Sequence, residues 1–218
     1  MEREFWENAW DENNIGFHMS ETNQFLKYTF DEGIVCDIKT ALIPLCGKSL
    51  DLLYLREMGI EVFGVEIATK AVEQFFEENS LDFEIEEKGD YKIYKTSGIT
   101  IFCGDFFSLK RDDLPKIDFI YDRASNVALP PQMRESYYDQ IRNLSSDNTQ
   151  MLLLTAHSEE EDQFGPPFSI SKEEIEMAYK EKAKEFKLLH EQKKKVTSKR
   201  LIKAGLKSRI MVAHYLKF

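Results

Sequence analysis

Along most of this chain, short apolar runs alternate with amphipathic stretches that have the helical period. The apolar runs predict five strands, at residues 40–45, 61–66, 99–103, 117–121 and 151–155. The amphipathic stretches predict intervening helices at about 49–58, 68–79 and 131–144. Strands that alternate with helices are typical of a parallel sheet. The pattern therefore predicts an open α/β sheet with helices on both faces.

The first forty residues are predicted to be helical and differ from the rest of the chain. Trp6 and Trp10 fall on one face of an amphipathic helix, and Ser20 can cap a second one. The remainder contains no repeat and no linker rich in Gly, Ser or Pro. We predict one domain over residues 1–218, with a helical lid at 1–39 and an α/β core at 40–218.

Three further segments complete the predicted architecture. Ser171 and Glu174 form a capping box that begins another helix. Residues 186–191 and 209–216 predict two closing strands that pair antiparallel, and the charged segment 81–97 predicts an excursion or hairpin. The expected fold is Rossmann-like, with a mostly parallel sheet of seven strands.

The charge balance limits the partners of this protein. Its 218 residues include 39 acids and 29 bases, which gives a net charge of −10. Affinity for nucleic acid comes mainly from clustered Lys and Arg, so we predict no nucleic-acid partner. Residues 193–209 are rich in Lys and Arg, and they form either a solvated face or an anion-handling surface.

Cysteine usage and hydropathy bear on localisation. The three cysteines have neither a C-x-x-C pair nor metal-ligand spacing, and an odd number suits a reducing compartment. The first residues lack the features of a signal peptide, and no apolar stretch approaches the roughly 18 residues that span a bilayer. We predict a cytoplasmic monomer with no metal and no membrane contact.

In an open sheet of this kind, ligands bind outside the carboxyl ends of the strands. The first strand is followed by Gly47-Lys48-Ser49, which looks like part of a phosphate-binding loop. That loop needs G-x-x-x-x-G-K-[ST], but the position five residues before Gly47 is Leu42, inside the strand. The spacing argues against a nucleoside triphosphatase.

Glu66 ends the second strand, nineteen residues after Gly47. An acid about twenty residues beyond the first turn binds the ribose hydroxyls in nucleoside-binding α/β folds, although a solvated turn acid would look the same. The full G-x-G-x-x-G is absent, which favours a nucleoside cofactor without pyrophosphate, such as S-adenosylmethionine. We expect Glu66 to face a solvated cleft and to support little of the core.

Seven short motifs occur in a specific order and spacing. They are Trp6-x-x-x-Trp10 with Gly16-Phe17-His18, Pro44-Leu45-Cys46-Gly47-Lys48-Ser49-Leu50-Asp51, Gly64-Val65-Glu66, Gly104-Asp105-Phe106-Phe107, Tyr121-Asp122-Arg123-Ala124, Val127-Ala128-Leu129-Pro130-Pro131-x-x-Arg134 and Gly165-Pro166-Pro167-Phe168. Through them the chain resembles the bacterial form of the thiopurine S-methyltransferase family over nearly its whole length. Ser125 and Asn126 depart from the family pattern, because many relatives have small apolar residues there.

The resemblance implies a class I methyltransferase that moves a methyl group from S-adenosylmethionine to a thiol, thione or other soft chalcogen and releases S-adenosylhomocysteine. The residues that it places at the cofactor are Trp6, Trp10, Leu45, Gly47, Glu66, Asp105, Phe106 and Arg123. The residues that it places at the acceptor are Phe17, Arg123 and Arg200. Arg123 is the expected catalytic residue, which orients the reactants without a general base, and His18 is expected to be structural.

Two alternatives stay open at this point. The acceptor of the same fold could be inorganic tellurite, selenite or a halide, which need a smaller pocket. The chain could also be a non-catalytic module that binds S-adenosylmethionine and contacts an anionic partner through its Lys-rich tail. Turnover of a thiol distinguishes an enzyme from such a module.

Overall fold

The structure is a computed structural model that describes residues 3–158, 164–197, 199–203 and 205–218. The chain divides into two compact units, Met1–Tyr121 and Asp122–Phe218. Each unit is described by itself.

The first unit contains a parallel sheet with an antiparallel hairpin. Its helices are α1 (Arg3–Asp11), α2 (Gln24–Asp31), α3 (Asp51–Glu57) and α4 (Thr69–Glu78). Its strands are β1 (Thr40–Ile43), β2 (Glu61–Glu66), β3 (Glu84–Lys88), β4 (Tyr91–Thr96), β5 (Ile99–Cys103) and β6 (Phe119–Arg123), the last of which continues two residues into the second unit. The strand order is β3-β4-β5-β2-β1-β6.

Strands β5, β2, β1 and β6 are parallel, as the alternating pattern predicts. Ile43 is paired with Gly64, and Glu66 is paired with Cys103. The charged segment at 81–97 forms the antiparallel hairpin β3–β4, which pairs with β5. The hairpin accounts for a difference from the prediction, since the described residues contain nine strands rather than seven.

The core of this unit follows directly from the apolar runs. Strand β2 is buried from Val62 onward, because parallel strands are covered on both faces. Helix α4 buries Ala71, Val72, Phe75 and Phe76, which recur with the helical period. Gly64 leaves room between neighbours, since a Cβ there would lie 2.8 Å from the sulfur of Cys46.

Among the described residues, the second unit contains an antiparallel sheet and three α-helices. Its elements are α5 (Pro131–Leu144), β7 (Gln150–His157), α6 (Lys172–Tyr179), β8 (Glu185–Lys195), α7 (Lys199–Lys203) and β9 (Ser208–Lys217). Strand β9 lies between β7 and β8 and is antiparallel to both, which confirms the two closing strands. The Ser171 hydroxyl accepts a hydrogen bond from the Glu174 amide at 3.1 Å, so the predicted cap is present.

Several predicted boundaries are wrong, such as the end of β1, which is at Ile43 rather than at residue 45. The starts of α2 and β6 also differ from the prediction. Helix α2 begins after Asn23 rather than after Ser20, because the Asn23 amide donates to Asp51 at 2.8 Å while its side chain caps Phe25. Strand β6 begins at Phe119 rather than at residue 117 and continues through Asp122 and Arg123. Long-range contacts, which local patterns do not contain, fix both positions.

The described residues contain neither a helix that could cross a membrane nor a cluster of metal ligands. None of the described helices combines the length and apolar character that crossing a bilayer requires. Those residues also contain no group of three or more His, Cys, Asp or Glu arranged to hold a metal. Cys36, Cys46 and Cys103 are not in disulfides, and the last two are buried.

Candidate functional site

The carboxyl ends of β1, β2 and β5 bring most of the predicted cofactor residues to one edge of the sheet. Leu45 and Gly47 follow β1, Glu66 ends β2, and Asp105 and Phe106 follow β5. These three strands are adjacent and parallel. The edge is therefore where an open α/β sheet places its ligand.

Glu66 is fixed from two sides. One carboxylate oxygen accepts a hydrogen bond from the Gly47 amide and the other from the Ala68 amide, each at 2.8 Å. The residue is only 6% exposed, so the expectation that it faces a solvated cleft and supports little of the core is wrong. A carboxylate oxygen has more than one acceptor site, so both oxygens can still accept from a ligand.

Burial also changes the acidity of this carboxyl. Removal from water raises the pKa of Glu66, and the hydrogen bonds from Ala68 and Gly47 oppose that rise because they favour the charged form. The carboxylate thus depends on the backbone groups that orient it. The sequence alone does not show that the same backbone amides both orient this carboxylate and lower its pKa.

The turn after β1 holds two residues in the left-handed region. Leu45 has a φ of +46° and Gly47 has a φ of +54°. The amide of Cys46 donates to the Val65 carbonyl at 2.9 Å, which ties the turn to β2. A non-glycine residue in this conformation costs about 1–3 kcal/mol, and such strain concentrates at functional sites. The turn presents the Gly47 amide to Glu66.

Trp10 lies against this turn. Its side chain is 2% exposed and packs on Ala68, the N-cap residue of α4, and on Ala71 within that helix. A Cβ on Gly47 would lie 3.0 Å from the indole Cζ2 atom. Gly47 therefore provides both the left-handed backbone and the space for the indole.

Two further aromatic rings extend from Trp10. The Phe17 ring lies 5.6 Å from the Trp10 ring and 5.7 Å from the Trp6 ring, edge to face in both cases. Trp6 and Phe17 are half-buried. We call Trp6, Phe17 and Trp10 the aromatic wall, which unites a predicted acceptor residue with two predicted cofactor residues.

Asp105 and Phe106 follow β5 in different environments. The Asp105 side chain is exposed and accepts from the Phe107 amide at 3.0 Å, which caps a short 3-10 helix. The Tyr91 hydroxyl donates to the Asp105 carbonyl at 2.5 Å and anchors the turn. Phe106 is buried, at 4% exposure. The Asp105 carboxylate is thus available at the sheet edge while its backbone is held.

Lys48 is a residue that sequence reasoning missed, because it appeared in the phosphate-loop comparison and in a family motif without being given a role. It is 8% exposed, and its ammonium lies 2.6 Å from a carboxylate oxygen of Glu78. The same ammonium lies 6.0 Å from the centre of the Trp10 ring. Its place directly after Gly47 was the available signal.

The second unit contains the other predicted site residues. Arg123 ends β6 and is half-buried, and it is followed by Ala124 with a φ of +64°. Asp122 is buried and accepts from the Tyr137 hydroxyl at 2.9 Å and from the Asn126 amide at 3.3 Å. Burial raises the pKa of Asp122 to about 7, against the effect of these hydrogen bonds.

Two further positions of the second unit, Arg200 and Asn126, have different outcomes. The Arg200 side chain lies outside the side chains that the structure describes, so its prediction stays a prediction. The side chain of Asn126 is fully buried. Within the described part of the chain, neither the oxygen nor the nitrogen of its side-chain carboxamide has a hydrogen-bond partner. Asn126 is therefore a buried polar side chain inside the second unit.

The residues at the sheet edge fit a nucleoside. A carboxylate held by backbone amides retains acceptor capacity for hydroxyl groups, and an exposed acid follows the neighbouring strand. Solved structures share the fold of this chain. A methyltransferase dependent on S-adenosylmethionine from Anabaena variabilis has a TM-score of 0.65 and 14% identity, over 99% of this chain and 94% of that one. TehB from Haemophilus influenzae has a TM-score of 0.62 and 14% identity, over 88% of this chain and 61% of that one.

The fold is that of class I methyltransferases dependent on S-adenosylmethionine, as predicted. The sequence model of thiopurine S-methyltransferase matches residues 1–211. A thiopurine S-methyltransferase of Pseudomonas fluorescens is 39% identical over 179 residues, which cover 82% of each chain. One from Nitrosospira multiformis is 41% identical over 181 residues, or 82% of this chain and 81% of that one. The chain belongs to the thiopurine S-methyltransferase family.

Proposed function

We propose that this protein transfers a methyl group from S-adenosylmethionine to the sulfur of a small thiol or thione, with thiopurines as the representative acceptors. The observation that carries the proposal is the Glu66 carboxylate, which two backbone amides hold at the sheet edge. The names of the relatives that are about 40% identical support the choice of a sulfur acceptor.

In this proposal, the sheet edge binds the cofactor. Glu66 would accept from the ribose hydroxyls, and Asp105 and Phe106 would flank the adenine. Leu45 and Gly47 would supply the turn beside it, and Trp6 and Trp10 would pack from the N-terminal segment at 1–39, which serves as a lid. The bound cofactor supplies an electrophilic methyl group on a sulfonium.

For this reaction the protein mainly has to align the two reactants and exclude water from the site. Transfer would occur in line, with one carbon–sulfur bond to the acceptor forming as the sulfonium bond to the methyl carbon breaks. A thiolate or thione needs no general base. Arg123 would orient an electron-rich acceptor, with Phe17 at the acceptor wall and Arg200 at its mouth.

The test is an acceptor screen with cofactor that is labelled in its methyl group. Thiophenol and a thiopurine are expected to gain label on sulfur, whereas phenol, the matched oxygen analogue, is not. Binding of S-adenosylhomocysteine without turnover of any acceptor would contradict the proposal and indicate a binding module. Methylation of tellurite, selenite or a halide, without any thiol, would also contradict it and indicate the small-acceptor alternative.

A further inference from the structure

Lys48 has a buried ammonium group that the proposed reaction does not use. Lysine is almost never buried unless its charge is paired. Here the pairing comes from Glu78 of α4, at 2.6 Å, and the Trp10 ring lies 6.0 Å from the same nitrogen. The side chain of Glu78 is 52% exposed, so only the Lys48 end of this pair is removed from water.

The surroundings of Trp10 show what this ammonium group can affect. Glu66 joins the amides of Gly47 and Ala68, and we call the line between these two residues the Gly47–Ala68 seam. Trp10 packs on Ala68, and its indole also lies directly against Gly47. The indole therefore lies over the two residues, Gly47 and Ala68, whose amides Glu66 holds.

We propose that Lys48 is a positioning residue for the cofactor site. It holds the Trp10 indole over the Gly47–Ala68 seam. Glu78 anchors the ammonium group, and the ammonium group attracts the face of the indole. This inference rests on the proposed function, because it concerns the place where Glu66 would hold the ribose. Lys48 acts through Trp10 and need not touch the cofactor.

A second ion pair near α1 provides a matched control. Lys70 of α4 pairs with Asp11 of α1 at 3.1 Å, but its side chain is 43% exposed and that of Asp11 is 66% exposed. Exposed pairs of this kind contribute little to stability. Lys70→Met removes a lysine that pairs α4 with α1 and leaves Lys48, Glu78 and Gly47 unchanged.

The first measurement is calorimetric titration of S-adenosylhomocysteine into the full chain. For Lys48→Met, which keeps the apolar stem, we expect the Kd to rise about threefold to thirtyfold, because a desolvated cation–π contact is lost. Lys48→Arg retains both charge contacts and is expected to stay within about twofold of the wild type, as is Lys70→Met. Thermal unfolding of each variant shows whether its fold is retained.

The second measurement needs no ligand. The chain has two tryptophans, so in a Trp6→Phe background the fluorescence reports on Trp10 alone. Adding Lys48→Met is expected to shift the emission to the red and to increase quenching by acrylamide, whereas Lys48→Arg restores both. If Lys48→Met does not fold, Glu78→Gln, at a half-exposed position, takes its place in both measurements.

The two measurements separate this inference from the proposed function. Equal affinities of Lys48→Met and wild type, equal losses in Lys48→Met and Lys70→Met, or unchanged Trp10 fluorescence would overturn the role of Lys48. A wild-type protein that binds no S-adenosylhomocysteine would contradict the proposed function. The fluorescence would still decide whether Lys48 positions Trp10.

Discussion

At the scale of single residues, Asp122 is a buried carboxyl group whose pKa is raised although it accepts hydrogen bonds. Its carboxyl receives the Tyr137 hydroxyl and the Asn126 amide, yet burial raises its pKa to about 7. An aspartate in the unfolded chain has an ordinary pKa near 3.9. Between that pH and about 7, the folded protein therefore keeps a proton on Asp122 that the unfolded chain releases. Its stabilising effect is complete below pH 3.9 and is lost as the pH rises through about 7.

This linkage predicts a difference between Asp122 and an isosteric neutral side chain. Between pH 5 and pH 7, the free energy of unfolding of the wild type should fall relative to that of Asp122→Asn, by up to about 1.4 kcal/mol per pH unit. Urea denaturation of both proteins across this range measures the difference, because all other titrating groups are shared. Parallel pH profiles would show that Asp122 is ionised throughout.

Arg123 provides a second prediction at this scale. If its planar guanidinium orients the acceptor, Arg123→Lys keeps the charge but loses the fork, and kcat/KM for thiophenol should fall about 10- to 100-fold. His18→Ala should keep most of the wild-type rate, because the proposed transfer has no general base. An Arg123→Lys variant with the wild-type rate would remove Arg123 from the reaction.

At the scale of elements, the cap of α2 depends on a contact that is distant in sequence. Asn23 accepts from the Phe25 amide and donates its own amide to Asp51, 28 residues further along the chain. Asn23→Ala should lower the free energy of unfolding by about 0.5–2 kcal/mol, while Ser20→Ala should change it little. Urea denaturation of the two variants compares them, and equal effects would contradict the assignment of the cap.

The same contrast explains which elements the sequence predicts. Strands β2 and β5 lie where their apolar runs place them, and α5 begins at Pro131 as expected. Strand β6 continues into Asp122, which a sequence pattern treats as a turn residue because its partner, Tyr137, is fifteen residues away. Local patterns identify elements, whereas tertiary hydrogen bonds set their ends.

The candidate site divides in a similar way. Position after a strand was enough to single out Glu66 as a candidate, whereas the role of Asp105 came from the family resemblance. Both lie at one edge, because parallel strands bring their carboxyl ends together. The sequence did not indicate that Glu66 is buried or that Lys48 faces Trp10. Those facts depend on how the backbone amides of Gly47 and Ala68 and the indole ring meet in three dimensions.

At the scale of the whole molecule, the order of the strands, the family and the proposed cofactor site agree on one region. Apolar alternation predicts the parallel sheet, the sheet places its ligand at the carboxyl edge, and the family is one that uses S-adenosylmethionine. All three arguments meet at Glu66. A substitution there should therefore affect both binding and folding.

The measurement that tests this account most directly is titration of S-adenosylhomocysteine into the wild type, Glu66→Gln and the control Glu61→Gln, at the exposed start of β2. For Glu66→Gln, the affinity should fall about 10- to 100-fold and the free energy of unfolding by about 1–3 kcal/mol, because the new amide faces backbone N–H groups. Glu61→Gln should match the wild type. A change below about threefold for Glu66→Gln would contradict the account, since the ribose would then be held elsewhere.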